Sequence, residues 1–173
     1  VAVLLAAGLV WWRFTDDIEQ ARARAALNAV VVQTHCGPIE YQAAGIGTPV
    51  LMIHGSGGGH DQGMAFVAPL IPHGIKVIAM SRFGYLGTSM PLDRSVEAQA
   101  DAHACLLDAL GIQKAGVIGG SAGALSAMQM AIRHANRVSA LALVVPIAYK
   151  PSPQGELTSP LSPWVGKILM RLI

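Results

Sequence analysis

The chain is short of charge and of aromatic side chains. Of its 173 residues 13% are charged and 5% aromatic, against 53% hydrophobic, with a net charge of +2. An ordinary globular chain carries about 25% charged residues. Lys and Arg form no cluster, which excludes a nucleic-acid groove, because such a groove gathers positive charge against phosphates. Cysteine is scarce too: Cys36 and Cys105 are the only two. They exclude a disulfide-rich scaffold, and although one bridge can form, the sequence does not demand it. Cys105, between Ala104 and Leu106, reads as a small buried hydrophobe. Internal repeats are absent. What is abundant is Val, Leu, Ile and Ala, enough apolar surface to fold and to exclude disorder. The length suits one domain.

The chain opens on Val1, and its last stretch, Trp164 to Ile173, is amphipathic with no stop signal after it. Both ends read as cut, so a fragment is expected. Val1 to Trp12 carries no charge but falls short of the about 20 apolar residues that a spanning helix needs. Trp11, Trp12 and Arg13 suit a membrane interface, so Val1 to Phe14 is expected to be a membrane anchor. A signal-peptide core or a buried helix are the rivals. The expected location is membrane-anchored, otherwise exported or cytoplasmic. Residues 15–28 read as a linker helix with acidic residues at its start and a thin apolar stripe of Ile18, Ala21 and Ala25.

Residues 29–150 alternate strands with helices. Val30 to His35 is β-branched, Cys36-Gly37-Pro38 is a turn, and Ile39 to Ala43 alternates like a hairpin partner. Pro49–His54, Lys76–Met80, Ala115–Gly119 and Ala140–Val145 are apolar throughout, as strands buried on both faces must be. Helices are predicted over Val96–Leu110, capped by Ser95 and stopped by Gly111, over Ala122–His134, and more weakly over Met64–Ile71 before Pro72. Such alternation predicts an α/β fold with a mostly parallel sheet. After Tyr149 a Pro/Ser-rich segment leaves the sheet.

Two glycine-rich turns carry the chemistry. Gly119-Gly120-Ser121-Ala122-Gly123 follows an apolar strand and opens a helix. A nucleophile on so sharp a turn needs strained backbone angles, and flanking glycines let strand and helix approach. Ser121 is therefore the candidate nucleophile. His54-Gly55-Ser56-Gly57-Gly58-Gly59-His60-Asp61-Gln62-Gly63 follows another apolar strand. Acyl transfer needs backbone N–H donors at the developing oxyanion, and glycine keeps side chains out of their way. One donor is expected from Ala122 and the other from Ser56 or Gly57, with His54, Gly55, Gly119 and Gly123 supporting the two turns. The loop lacks the spacing of a nucleotide-phosphate loop. A metal site through His54, His60 and Asp61 is the weaker reading: both histidines are expected to orient the loop by hydrogen bonds. No metal or cofactor is expected.

With Ser81-Arg82-Phe83-Gly84-Tyr85-Leu86-Gly87-Thr88-Ser89 and His134-Ala135-Asn136-Arg137-Val138, these motifs resemble, in order and spacing, the first half of the α/β-hydrolase superfamily. The resemblance covers roughly Val30 to Tyr149. Ser81 stands where the family's D-x-R-G-x-G-x-S segment has Asp, and Phe83-Gly84-Tyr85 alters its centre. The long glycine loop is similar to a subgroup of bacterial, often membrane-tethered hydrolases. The resemblance implies a sheet of that type, incomplete in this chain, after an N-terminal apolar helix. It also implies the order nucleophile, acid, histidine. After Ser121 the only histidine is His134 and the only acid Glu156. His134 sits about a dozen residues along the same helix, roughly 20 Å away at ~1.5 Å per residue, and cannot reach the serine. The acid and base are expected beyond Ile173, and residues 151–173 are expected to start a cap. The function implied is serine-dependent hydrolysis of esters or related small apolar substrates, with C–C hydrolysis or perhydrolysis on the same scaffold undistinguished. The competing expectation is a catalytically inactive truncated module or binding protein.

Overall fold

The computed structural model describes residues 2–147. The expected cap over residues 151–173, and Glu156 with it, lie outside the described residues. Ten elements run in the order α1 (Ala2–Ala26), β1 (Val30–Thr34), β2 (Gly37–Ala44), β3 (Thr48–Ile53), α2 (His60–Val67), β4 (Ile75–Met80), α3 (Val96–Ala109), β5 (Ala115–Gly120), α4 (Gly123–Arg133) and β6 (Val138–Val144). The six strands form one sheet in the order β1-β2-β4-β3-β5-β6. β1 pairs antiparallel with β2, and β2 with β4, while β3–β4, β3–β5 and β5–β6 are parallel. This is the expected α/β architecture, with the hairpin at one edge.

The parallel strands are buried as their sequences require. Leu51, Ile53, Ile78 and Met80 are fully buried and meet Ala102, Leu106 and Leu107 of α3 and Met130 of α4 on one face. Met52, Val77 and Ala79 face the other way, against Met64 and Val67 of α2. Helix α3 begins where Ser95 Oγ accepts the Ala98 N–H at 3.1 Å and stops at Gly111, whose φ of +65° suits glycine. Helix α2 starts at His60, earlier than Met64. Its first turn holds Asp61, Gln62 and Gly63, which show no apolar periodicity, and a short 3₁₀ stretch replaces its expected end over Ala68–His73.

One expectation is extended and another finds no support. Cys105 is buried, but it is not free: it is disulfide-bonded to Cys36 on the turn between β1 and β2, with the Cα atoms 6.1 Å apart and 69 residues between them in sequence. Closing a loop of that length constrains the unfolded chain by about 4 kcal/mol on the chain-entropy account. The transmembrane anchor finds no support. A single helix, α1, runs through both the expected anchor and the expected linker, none of its residues is buried, and no helix among the described residues is long and apolar enough to cross a membrane. Its apolar first half continues directly into the charges from Arg13 to Arg24.

Candidate active site

Ser121 sits between β5 and α4 with φ of +48°. That left-handed backbone is uncommon for a residue with a side chain and persists only where its surroundings hold it. Here they do. The Ser121 N–H donates to the Val144 carbonyl at 2.9 Å, and its carbonyl accepts from Ala124 and Ile147 at 3.1 and 3.2 Å. The flanking glycines are required by space. A Cβ on Gly119 would lie 2.6 Å from the Ala127 Cβ, and one on Gly123 would fall on the carbonyl oxygens of Ile53 and His54. Strand β3 therefore passes directly under the turn, which brings the loop following it to the serine. A Cβ on Gly55 would stand 3.2 Å from the Ser121 Cβ.

That loop is held by its carbonyls. The Gly55 carbonyl accepts from His54 Nδ1 at 2.7 Å and from Arg82 Nη2 at 2.9 Å. The Ser56 carbonyl accepts from the Tyr85 hydroxyl at 3.2 Å. In a trans peptide the N–H points opposite to the C=O. Bonding the Gly55 carbonyl thus aims the Ser56 N–H, and bonding the Ser56 carbonyl aims the Gly57 N–H, away from these braces. The Gly55 N–H is taken up by Gln62 Oε1 at 3.1 Å. The N–H groups of Ser56, Gly57 and Ala122 have no hydrogen-bond partner among the described residues. Ser56 and Gly57 line, with Ser121, Gly120 and Gln62, a cleft of about 270 Å³ whose remaining walls include Met52, Phe66, Val144 and Val145.

His54 is fully buried. Its Nε2 accepts the Arg82 backbone N–H at 2.9 Å, so in the neutral ring Nδ1 carries the proton that bonds Gly55. Burial, reinforced by the Arg82 charge, lowers its pKa to about 4, which keeps that tautomer in place at neutral pH. Tyr85 meets the His54 ring edge-on at 4.7 Å, and the Arg82 guanidinium lies 5.0 Å from the Tyr85 ring centre. Desolvation pulls the Arg82 pKa down, with Tyr85 opposing it.

The segment bearing Arg82 and Tyr85 is itself pinned. The buried Glu40 carboxylate on β2 accepts from Ser81 Oγ at 2.8 Å and from the Gly87 N–H at 3.0 Å, and the Glu40 N–H donates to Thr88 Oγ1 at 2.9 Å. The His60 N–H donates to Ser81 Oγ at 3.1 Å, and Gln99 of α3 accepts the Phe83 N–H at 2.8 Å. Glu40 thus supplies a carboxylate beside Ser81, where the sequence pattern lacks one. Beneath the serine turn, buried His103 of α3 contacts Ser126 Oγ at 3.0 Å, and that hydroxyl donates to the Gly123 carbonyl at 3.3 Å. Burial is the main cause that lowers the His103 pKa to about 3.

The structure thus brings together Ser121, Ala122, Gly55, Ser56 and Gly57, with His54, Gly119 and Gly123 shaping the two turns. His54 and His60 orient loops by hydrogen bonds, and Asp61 Oδ1 accepts the Gly59 N–H at 2.9 Å. Among the described residues only His35, Cys36 and Cys105 gather three metal-type ligand atoms, all within 4.8 Å, and there the two sulfurs are bonded to each other. His134 is remote from the serine as expected and bonds Asp101 at 2.7 Å. The Ser121 hydroxyl has no partner among the described residues. Sequence reasoning gave no role to Gln62, Arg82, Tyr85 or Glu40. Arg82 and Tyr85 fell inside a quoted motif. Gln62 lies near the end of the glycine-rich loop motif and Glu40 sits in the alternating Ile39–Ala43 strand, but only the paired strands β2 and β4 and the start of α2 show what they hold.

Comparison with known proteins gives the same frame. The chain is 38% identical to an alpha/beta hydrolase fold protein from Nakamurella multipartita, with a TM-score of 0.68 over 74% of this chain and 44% of that one. A thermophilic esterase from Thermogutta terrifontis superposes with a TM-score of 0.63 at 29% identity, over 73% of this chain and 48% of that one. The 2-hydroxy-6-oxo-6-phenylhexa-2,4-dienoate hydrolase of Comamonas testosteroni is 31% identical over 113 residues, 62% of this chain and 40% of that protein. The chain spans about two fifths of the length of the curated relatives it matches. The model of the alpha/beta hydrolase fold family matches residues 48–168, and the chain belongs to that family.

Proposed function

We propose that this chain carries the nucleophile and oxyanion-binding part of a serine-dependent hydrolase of esters or related small apolar substrates. The observation that carries the reading is Ser121, held at φ of +48° opposite the Gly55 loop. Ser121 Oγ attacks the substrate carbonyl carbon and loses its proton to a base. The carbonyl oxygen becomes an oxyanion bound by the N–H of Ala122 and that of Ser56 or Gly57. The base returns that proton to the departing oxygen as the C–O bond breaks and the alcohol leaves. It then takes a proton from the water that attacks the acyl-enzyme and returns it to Ser121 Oγ as the carboxylic acid departs. The proposal places the base and its orienting acid outside residues 2–147. It draws support from relatives named as esterase and hydrolase and from an apolar cleft beside the serine.

The test is covalent labelling. A fluorophosphonate probe applied to the full-length protein should mark one serine, and the mark should vanish in Ser121→Ala. Labelling that persists in this variant would refute the assignment. A folded full-length protein that neither labels nor hydrolyses short aryl esters would instead support the inactive binding module.

A further inference from the structure

Gln62, like the Ser56 hydroxyl, is a polar side chain of the cleft that the acyl-transfer steps leave unused. It stands in the first turn of α2 and lines the cleft with Ser121, Ser56 and Gly57. Its Oε1 accepts the Gly55 N–H at 3.1 Å. Only the amide oxygen can meet an N–H, so this bond fixes the carboxamide and turns the Nε2 donors the other way. Nε2 has no hydrogen-bond partner among the described residues. It lies 3.0 Å from where a Cβ on Gly57 would stand, and a Cβ on Gly58 would come 2.7 Å from the Gln62 Cβ. Gly57 and Gly58 therefore make room for this side chain as well as for a bare backbone.

The rest of the cleft frames what that donor can meet. Met52, Phe66, Val144 and Val145 are apolar, and no lining residue among those described is charged. Arg82, the nearby cation, is turned to the Gly55 carbonyl and the Tyr85 ring. A carboxylate in this cleft would lack a counter-charge and lose its hydration. A neutral acceptor such as an ether, hydroxyl or ketone oxygen would lose little, because one amide N–H replaces a water.

We propose that Gln62 is a specificity-determining residue whose Nε2 donates to a neutral oxygen on the acyl group, close to the scissile carbonyl, so that oxygen-bearing acyl chains are favoured over plain alkyl chains. The proposal rests on the serine-hydrolase reading and adds the substrate class to it. Gln62 is exposed in the free protein, and an acyl chain seated in the cleft covers it, so an analogue that lacks the oxygen leaves the covered donor unpaired.

The experiment compares aryl esters of methoxyacetic and butyric acid on the full-length enzyme. The two acyl chains have the same number of heavy atoms and differ by one oxygen for one methylene. The quantity read is the ratio of their kcat/KM values, in the parent and in two variants, so that their intrinsic reactivities cancel. Gln62→Glu keeps an acceptor for the Gly55 N–H but removes the donor, and Gln62→Met removes both. The ratio should fall about fivefold in both variants, the effect of one lost neutral hydrogen bond. Loss of the Gly55 tether, or a new charge beside the oxyanion, slows both esters together and leaves the ratio alone. A ratio unchanged within twofold, with turnover still abolished by Ser121→Ala, overturns the Gln62 proposal and spares the serine. Turnover that survives Ser121→Ala, or no turnover of either ester by a protein that also fails to take the fluorophosphonate label, overturns the serine reading and this proposal with it. A labelled protein that turns over neither ester overturns the Gln62 proposal alone.

Discussion

The two turns that meet at the cleft are built on opposite principles. The Gly55–Gly57 loop is held by hydrogen bonds from side chains, His54 and Gln62 close in sequence and Arg82 and Tyr85 on a distant segment. The Gly119–Gly123 turn is held by close packing, which leaves no room for a side chain at Gly119 or Gly123, and by the backbone hydrogen bonds of Ser121. The first can be loosened one bond at a time, whereas the second tolerates no added atom at Gly119 or Gly123. Each rests on a buried histidine kept neutral, His54 under the loop and His103 under the serine turn. The difference teaches where each turn is vulnerable: the cradle in its chemistry, the elbow in its volume.

The largest effect expected is at the serine itself. Ser121→Ala should remove about 10⁴-fold or more of the turnover of short esters by the full-length protein, as loss of an attacking hydroxyl does elsewhere, with its unfolding midpoint little changed. The elbow's volume comes next. Gly123→Ala should destabilise the fold by about 3 kcal/mol, because the new methyl meets two carbonyls of β3 that cannot move without parting the sheet. Denaturant unfolding checks it. A variant as stable as its parent would mean that strand and helix yield there, and that close contact does not hold the turn.

Acid separates the two supports. A histidine held neutral in the fold but free to charge in the unfolded chain contributes stability above about pH 6.5, and that stability is lost as the pH falls. For His54 the loss is complete near its folded pKa of about 4, and amounts to about 3 kcal/mol at 1.36 kcal/mol per unit. For His103 it continues to about pH 3. Stability measured by urea between pH 7 and pH 4 should fall more gently in His54→Gln than in the parent. An identical fall would show that the cradle histidine takes no part.

Much of this was legible in the sequence because it depends on period and on glycine. Runs such as Leu51–Ile53 and Val77–Met80 announce buried strands whatever surrounds them, and Gly119-Gly120-Ser121 between strand and helix announces the turn. The braces were not legible. Glu40 lies 41 residues from the hydroxyl it accepts from, and Gln62 has one neighbour in sequence, Asp61, with the same polar look. Their roles follow from the β2–β4 pairing and the start of α2, which no local pattern encodes. The Cys36–Cys105 bond is possible but not demanded by the sequence for the same reason: a hairpin turn and a mid-helix cysteine meet only once the sheet is assembled.

On the proposed reading, the smallest effects decide which amide of the loop would bind the oxyanion. The Ser56 N–H belongs to the peptide whose carbonyl is held twice, by His54 and Arg82, and the Gly57 N–H to the peptide held once, by Tyr85. If the Ser56 N–H is the donor, Arg82→Ala should lower kcat about 10²-fold, the usual cost of losing one oxyanion donor. Tyr85→Phe should then lower it no more than about fivefold, the effect of one neutral hydrogen bond. If the Gly57 N–H is the donor, the order reverses, since the tyrosine hydroxyl then holds the peptide that matters. Because Phe keeps the ring against His54 and under the guanidinium, its effect isolates the hydroxyl. KM should stay put in both variants, because an oxyanion donor acts only once charge has developed. A change confined to KM would place Arg82 and Tyr85 on the substrate and not behind the loop.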